Sequence, residues 1–380
     1  MKRFWLLLAL LALLPLTGLC AEPVLVDRGL DLGSCRVHWP EVTGLEDAET
    51  EDRVNRLLRE ISDAEALTGR MALLMTAPTG LDASWEGLIR GGILSCVHHA
   101  EGPLRTNRLE EQWGTAVVDL TDGEPIRLSA FFTDAEAAVE RLAAHLEDTA
   151  APVLSAHLLA ADLTPLPETY AADPYGLLFC YPASRLTTLS GRAGTLRVYW
   201  YEAADGLDLS EGSPAVRMGA AEALTLSPGS AAALLEMAAQ GQLPLWPAAL
   251  DEPVRELISR FGLLSDPDLY LGGRYVELQD DRFRGVMLMT DALGDDISGD
   301  SLVQGIRADR FGLLGLRPGL TRTEVRAAFG QPDASILLDA DQAEAMRLAP
   351  GESDYYLCGA FRLRLHYDAE DRLAALILSH

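Results

Sequence analysis

The chain has almost no lysine, few cysteines and far too little positive charge to balance its acids. Lys2 is the single lysine among 31 basic residues, which face 57 acidic ones for a formal net charge of −26. A field of that sign repels nucleic acid and anionic lipid, which excludes both as partners, and it speeds encounters with basic proteins. It also keeps an exported chain soluble. The cysteines Cys20, Cys35, Cys96, Cys180 and Cys358 stand too far apart for a compact zinc knuckle. No glycine-rich phosphate loop follows a strand, so a nucleotide has no visible seat and no cofactor is expected.

Long apolar runs are missing too, except at the start. Lys2 and Arg3 precede the uncharged run Leu6 to Leu14, which Pro15 breaks and Thr17 and Gly18 follow. This layout predicts a signal peptide over residues 1–20, and a secreted or extracytoplasmic location. The run is too short and too soon interrupted for a membrane span, so no transmembrane segment is expected after its removal. Cleavage after Cys20 puts Gly18 and Cys20 at the small-residue positions, whereas cleavage after Ala21 leaves Leu19 three back. A lipid anchor on Cys20 is the rival, against which Leu19 sits where such signals want a small residue. Loss of Lys2 and Arg3 makes the remainder more acidic by two charges. Cys35, Cys96, Cys180 and Cys358 are then left as one or two disulfides or as buried thiols, and spacing does not choose among the pairings.

A chain of 380 residues with 48% hydrophobic content can bury a substantial core in two domains or a little more. Cys35, Val37 and Trp39 alternate as a strand that stops at Pro40. Val54, Leu57, Leu58 and Ile61 mark the buried face of a helix. Strands are expected at Gly92 to Val97 and Thr115 to Leu120, with a turn at Thr121 to Pro125 and a return through Ile126 and Leu128. Thr133 and Glu136 form a capping box for a helix burying Val139, Leu142 and Leu146. Strands at Gly176–Tyr181 and Leu196–Tyr201 follow, separated by a turn at Leu189 to Arg192. Strands and helices mix without a βαβ rhythm, so the fold class is α+β with mixed or antiparallel sheets and packed helices.

Several pieces taken together, over roughly residues 24 to 210, resemble a known family. They are Val37-His38-Trp39-Pro40 with Gly44-Leu45, Asn55 within Val54-Asn55-Arg56-Leu57-Leu58, and Ile93-Leu94-Ser95. Further on come Val118-Asp119-Leu120-Thr121-Asp122-Gly123 running to Leu128-Ser129-Ala130-Phe131-Phe132, and Gly176-Leu177-Leu178-Phe179 leading to Trp200-Tyr201-Glu202. Their order resembles the extracellular domain of lysozyme-sensing anti-sigma factors, also found ahead of the catalytic part of some peptidoglycan deacetylases. The resemblance implies a sensor-like α+β domain over 21–212. It departs from the family at Val97-His98-His99-Ala100-Glu101-Gly102, where a Gly-Ala-His stretch is usual. No sigma-binding segment and no deacetylase domain are present, so neither activity carries over.

The second half repeats itself. Asp251 and Pro253 open a helix with Val254, Leu257, Ile258 and Phe261 on its apolar stripe, and Gly262 ends it. A strand pair follows at Arg274–Leu278 and Phe283–Met289. Seventy residues later Thr321 and Glu324 form a capping box, Gly330 stops that helix, and Phe361 to Tyr367 with Leu376 and Leu378 form a second hairpin. Tyr270-Leu271-Gly272-Gly273 parallels Tyr356-Leu357-Cys358-Gly359. We read a tandem pair of helix-plus-hairpin units over 213–310 and 311–380. The stretch Gly315 to Val325 with Phe329-Gly330-Gln331-Pro332-Asp333 resembles the small lipoproteins of outer-membrane assembly and the β-lactamase inhibitor proteins. That likeness implies protein binding without catalysis.

Candidate chemistry is sparse. Gly299-Asp300-Ser301-Leu302 matches a serine esterase signature. Fewer than a hundred residues follow it, however, and neither His366 nor His380 has an aspartate three before it. His98 and His99 with Glu101 are the one candidate binding cluster, read as a strand-end loop, since adjacent strand histidines face opposite ways, which makes joint metal ligation awkward. His145 and His157 have no acidic partner at ligand spacing. Catalytic, cofactor and metal residues are therefore assigned to none. The expectation is an exported, non-catalytic envelope protein that binds or senses a basic, lysozyme-like protein or peptidoglycan. The alternative is an envelope hydrolase whose site converges only in three dimensions.

Overall fold

The computed structural model describes residues 22–74, 80–106, 108–157, 166–181, 194–264, 267–270, 272–292, 297 and 301–380. The expected leader with Cys20, the turn at 189–192, and Asp295, Asp296, Gly299 and Asp300 lie outside them.

The first body begins with the hairpin β1 (Val24–Leu32) and β2 (Cys35–Thr43), then α1 (Ala48–Ile61) and α2 (Ala64–Leu74). β3 (Asp82–Arg90), β4 (Ile93–Gly102), β5 (Glu110–Asp119) and the short β6 (Glu124–Pro125) complete a sheet in sequence order. It is antiparallel except where β2 meets β3. α1 forms because Asp47 caps it by accepting from the backbone N–H of Glu49 and Thr50, and because Val54 and Leu58 repeat at helical spacing. Both are fully buried against Val42, Leu94, Cys96 and Val118. The buried Asn55 on this helix is explained by β2: its amide accepts from Val42 N at 2.7 Å and donates to Val42 O at 2.9 Å, clamping helix to strand.

The other face of this sheet packs on α3 (Ala135–His157) and on a three-stranded sheet of β7 (Tyr170–Asp173), β8 (Gly176–Tyr181) and β9 (Gly194–Tyr199). Ala215 and Met218 of α4 (Pro214–Met218) and Ala220 of α5 (Ala220–Leu224) join that same core. The chain then crosses to a second core, entered by Leu226 and by Leu234 and Ala238 of α6 (Pro228–Ala238).

In the second body α7 (Val254–Phe261) precedes β10 (Asp268–Tyr270), β11 (Gly273–Val276), β12 (Val286–Thr290) and β13 (Val303–Ala308). α8 (Arg322–Phe329) precedes β14 (Ala334–Leu338), α9 (Ala340–Ala345), β15 (Gly351–Cys358), β16 (Phe361–Tyr367) and β17 (Leu373–Ser379). All eight strands form one antiparallel sheet, ordered β10-β11-β12-β13-β17-β16-β15-β14. The tandem is therefore two helix-plus-meander units joined through their last strands, Ile306 opposite Leu378. The architecture is α+β throughout.

Local details differ from expectation for identifiable reasons. β2 runs on through Pro40 because its partner there, Asp27 of edge strand β1, sits in an antiparallel register that Pro40 does not break. α3 is capped at Asp134, whose carboxylate accepts from Ala137 N at 3.2 Å, because the Thr133 N–H is already committed to Gly206 O. α7 opens at Pro253, since Asp251 has φ +65° and bonds its side chain to His380 instead. The repeat is offset by one strand: in the sheet β11 and β12 correspond to β15 and β16, not to β16 and β17. The capping box of Thr321 and Glu324 is formed as expected.

Candidate functional site

Pairing of three strands places one row of side chains across a single face of the first sheet. Ser84 of β3 stands opposite His99 of β4, which stands opposite Trp113 of β5. The next row on that face is Glu86, Val97 and Thr115. Leu178 of β8 and Thr195 and Arg197 of β9 face these rows, and Asp280 and Arg282 close the end from the second body. Together they wall a cleft of about 220 Å³, to which Trp85 also contributes.

His99 packs against Trp113 at a tilt of 31° with ring centroids 4.3 Å apart, and its Nε2 lies 2.7 Å from Glu111. The Trp113 indole N–H is buried and meets no acceptor. Arg197 is 4% exposed and donates to Asp173 at 2.7 Å. Arg282 grips Asp280 through two nitrogens at 2.9 and 2.8 Å and reaches Glu86 at 3.3 Å. Burial alone would raise the Asp280 carboxyl, but its bonds to Arg282 outweigh that and hold it below its ordinary range. The cleft thus combines aromatic faces with guanidinium groups already fixed in place by carboxylates. Beside it, Asp27, Arg36, His38 and Asp82 surround a second hollow of about 520 Å³ that shares Ser84 and Trp85. There Asp27 accepts from Trp85 Nε1 at 2.7 Å and lies 2.7 Å from His38 Nδ1.

The same junction is pinned by arginines of the second body. Arg310 contacts both oxygens of the buried Glu202 at 2.7 Å and donates to Arg197 O at 2.6 Å. Arg284 donates to Thr195 O at 3.1 Å.

His98, His99 and Glu101 do not form a loop. All three lie within β4, because the strand runs on to Gly102 in register with both neighbours. His99 enters the cleft. His98 points the other way, is 1% exposed, and bonds His38 O at 3.1 Å, with burial pushing it down to about 4. Glu101 stands between Asp82 and Glu111, beyond the cleft wall. Cys35, Cys96, Cys180 and Cys358 are buried thiols in separate strands, and burial pushes Cys96 up to about 12. Ser301 is buried and its carbonyl accepts from Val254 N, so it presents no nucleophile to solvent. His145 gains an acidic neighbour that spacing hid, Glu202 at 3.3 Å. Among the described residues no three His, Cys, Asp or Glu side chains gather as a metal site.

Sequence reasoning missed Trp85, Trp113, Arg197, Asp280 and Arg282. Trp113 was within reach, since it alternates with Thr115 along β5, which begins five residues before the expected strand. The others come together only across three elements.

No known family profile matches the chain, and no curated protein matches it. Solved structures with related arrangements include a DUF3298 family member from Bacteroides fragilis, with 11% identity and TM-score 0.34 over 52% of this chain and 96% of that one. A DUF3298 family protein from Pseudomonas aeruginosa has 10% identity and TM-score 0.35 over 50% and 94%. A DUF4309 family protein from Bacillus subtilis has 12% identity and TM-score 0.27 over 40% and 97%. These neighbours belong to families of uncharacterised domains, and likeness at this level carries no functional information.

Proposed function

We propose that this chain is an exported, non-catalytic binding protein of the cell envelope, and that the Trp113 cleft takes cell-wall material. The ligand we infer is a sugar ring of that material. The observation that carries this reading is the Trp113 ring, packed on His99 with centroids 4.3 Å apart in a cleft that Trp85 also lines. An aromatic face packs on the apolar face of a sugar.

The test is calorimetric titration with a soluble disaccharide-tetrapeptide. Trp113→Ala is expected to weaken binding about tenfold, the worth of one aromatic face. No heat on titration, or equal affinity in the variant, would sink the reading. Chromatography of the same mixture after long incubation addresses the hydrolase alternative, which new cleavage products would favour.

The charge of −26 supports a second reading, a basic protein partner. Titration with lysozyme at low and high salt tests it: steered association weakens with salt, and absence of binding at both removes it.

A further inference from the structure

Along β16, Leu363 and Leu365 enter the apolar core, so Arg364 and His366 lie on the opposite face of the sheet. The segment between β14 and β15, residues 339–350, folds back over that face. Ala343 is the one buried side chain of its helix α9, and Met346, Arg347, Ala349 and Pro350 are exposed, so little apolar area holds it down. Polar bonds hold it instead. Arg307 of β13 donates to Met346 O and Arg347 O, each at 2.8 Å, and His366 bonds Ala349 O at 2.8 Å. Arg364 donates to Met346 Sδ at 3.3 Å. The pair of Arg347 with Asp268 is largely exposed and adds little. At the base of the segment, Leu338 pairs with Gly351 across β14 and β15.

His366 is fully buried, and its bonds fix its tautomer. A carbonyl only accepts, so the proton sits on Nε2, facing Ala349 O, and Nδ1 accepts from the Ser353 hydroxyl 2.9 Å away. Ser353 Oγ in turn accepts from Arg364 Nε at 3.0 Å. Arg364 is 6% exposed and has no carboxylate partner among the described residues. The other charged groups near the ring are Arg307 and Asp309, which Arg307 engages through two nitrogens at 2.9 and 2.7 Å. The phenols Tyr275 and Tyr355 lie against Arg307 and Arg364. The ring's strand partners, Ser353 of β15 and Ala375 of β17, bring no charge. A second proton on His366 would turn the Ser353 hydroxyl away from Nδ1 and set an imidazolium beside Arg364 with no carboxylate between them. Burial, with Arg364 and Arg307 nearby, holds the ring below its ordinary 6.5, and the bond to Ala349 O and the charge of Asp309 offset this only in part.

We propose that residues 339–350 are an acid-released cover: a proton taken by His366 frees the segment while the sheet beneath it stays folded. A released ring titrates at about 6.5 and the covered ring below that, so opening takes up a proton. The opening constant is therefore flat above 6.5 and rises, by up to about tenfold per unit, as pH falls from there toward the covered value. A helix of six residues does not persist once released. Opening bares Arg364 and His366, a cationic patch on a chain of net charge −26.

Hydrogen exchange on the full chain tests this, read by mass spectrometry at about pH 7.5, 6.5 and 5.5 and corrected for the chemical exchange rate. The N–H groups of Ala343, Met346, Arg347 and Leu348 bond within the segment. Their protection should change by no more than about twofold from 7.5 to 6.5 and fall about fourfold from 6.5 to 5.5, while β16 and β17 keep theirs. His366→Gln keeps a donor for Ala349 O and an acceptor for Ser353 but takes no proton, so its segment should stay protected across the range. Arg364→Met removes the neighbouring cation and should shrink the acid loss. If His366→Gln does not fold, the parent profile and Arg364→Met decide. Protection independent of pH in the parent, an unchanged acid loss in either variant, or loss in β16 in step with the segment overturns the proposal.

Discussion

Replacing Asp354 with asparagine should unfasten α8 from the sheet of the second body. Asp354 is fully buried and accepts from Arg322 at 2.6 Å, from Arg326 at 2.8 Å through each of two nitrogens, and from Ser335 at 2.8 Å. Asparagine keeps the shape and one acceptor but leaves two guanidinium groups against a neutral amide, with only Arg322 retaining a second carboxylate, Glu352. Breaking a buried pair from one side costs about 3–5 kcal/mol, and the retained Glu352 argues for about 3. For a unit the size of the second body that corresponds to a fall of about 6–12 °C in its melting temperature. Differential scanning calorimetry at neutral pH measures it.

The pH dependence gives an independent check on the same residue. Burial alone would raise the Asp354 carboxyl, but the bonds from Arg326, Arg322 and Ser335 outweigh it and hold it well below the ordinary value of 3.8. Its stabilisation is therefore complete above that value and is lost as pH falls from there toward the folded pKa. Asp354→Asn should lack this acid loss. A cost under about 1 kcal/mol, or an unchanged acid slope, would refute the reasoning that these pairs outweigh their own desolvation.

Other outcomes are equally specific. His98, pushed down to about 4 by burial, should make stability fall as pH drops from 6.5 toward 4, and His98→Gln should flatten that slope in urea melts at stepped pH. Arg310→Ala takes the guanidinium from the buried Glu202, leaving it His145, the Tyr199 N–H and the Tyr201 hydroxyl, so calorimetry should resolve two transitions where the parent shows closer coupling between the bodies. Thr321→Ala removes one half of a capping box and should cost about 1 kcal/mol. Cys35, Cys96, Cys180 and Cys358, buried as thiols, should resist a thiol reagent in native buffer and react in denaturant; rapid native labelling would show that one of them is exposed.

What sequence could show depended on whether the signal was local. α1, the Thr321 capping box and the strand Gly176–Tyr181 are written in short periodic patterns, and they appear at those positions. The tandem was legible from its repeated punctuation, but the strand-to-strand correspondence slipped by one. β10 has only three residues, β13 (Val-Gln-Gly-Ile-Arg-Ala) does not alternate cleanly, and β14 is mostly exposed, so only hydrogen bonding shows where each unit ends. The cleft was mostly hidden. His99 drew notice as one of a pair, but its partners come from β5, β9 and a turn of the second body, and no spacing rule links residues 99, 113, 197 and 282. Asn55 shows the opposite case. It was noted only as part of a resemblance, and its reason is a physical clamp on Val42.

The joining of β13 to β17 has a consequence for synthesis. β13 emerges from the ribosome some seventy residues before its partner, already paired on one side with β12 and bare on the other. Through that interval Val303 to Ala308 present an edge of unpaired backbone N–H and C=O groups to any other chain. The first meander must wait, unsealed, for a strand made after the whole of the second unit, so nascent chains in crowded translation have one defined interval in which to mispair.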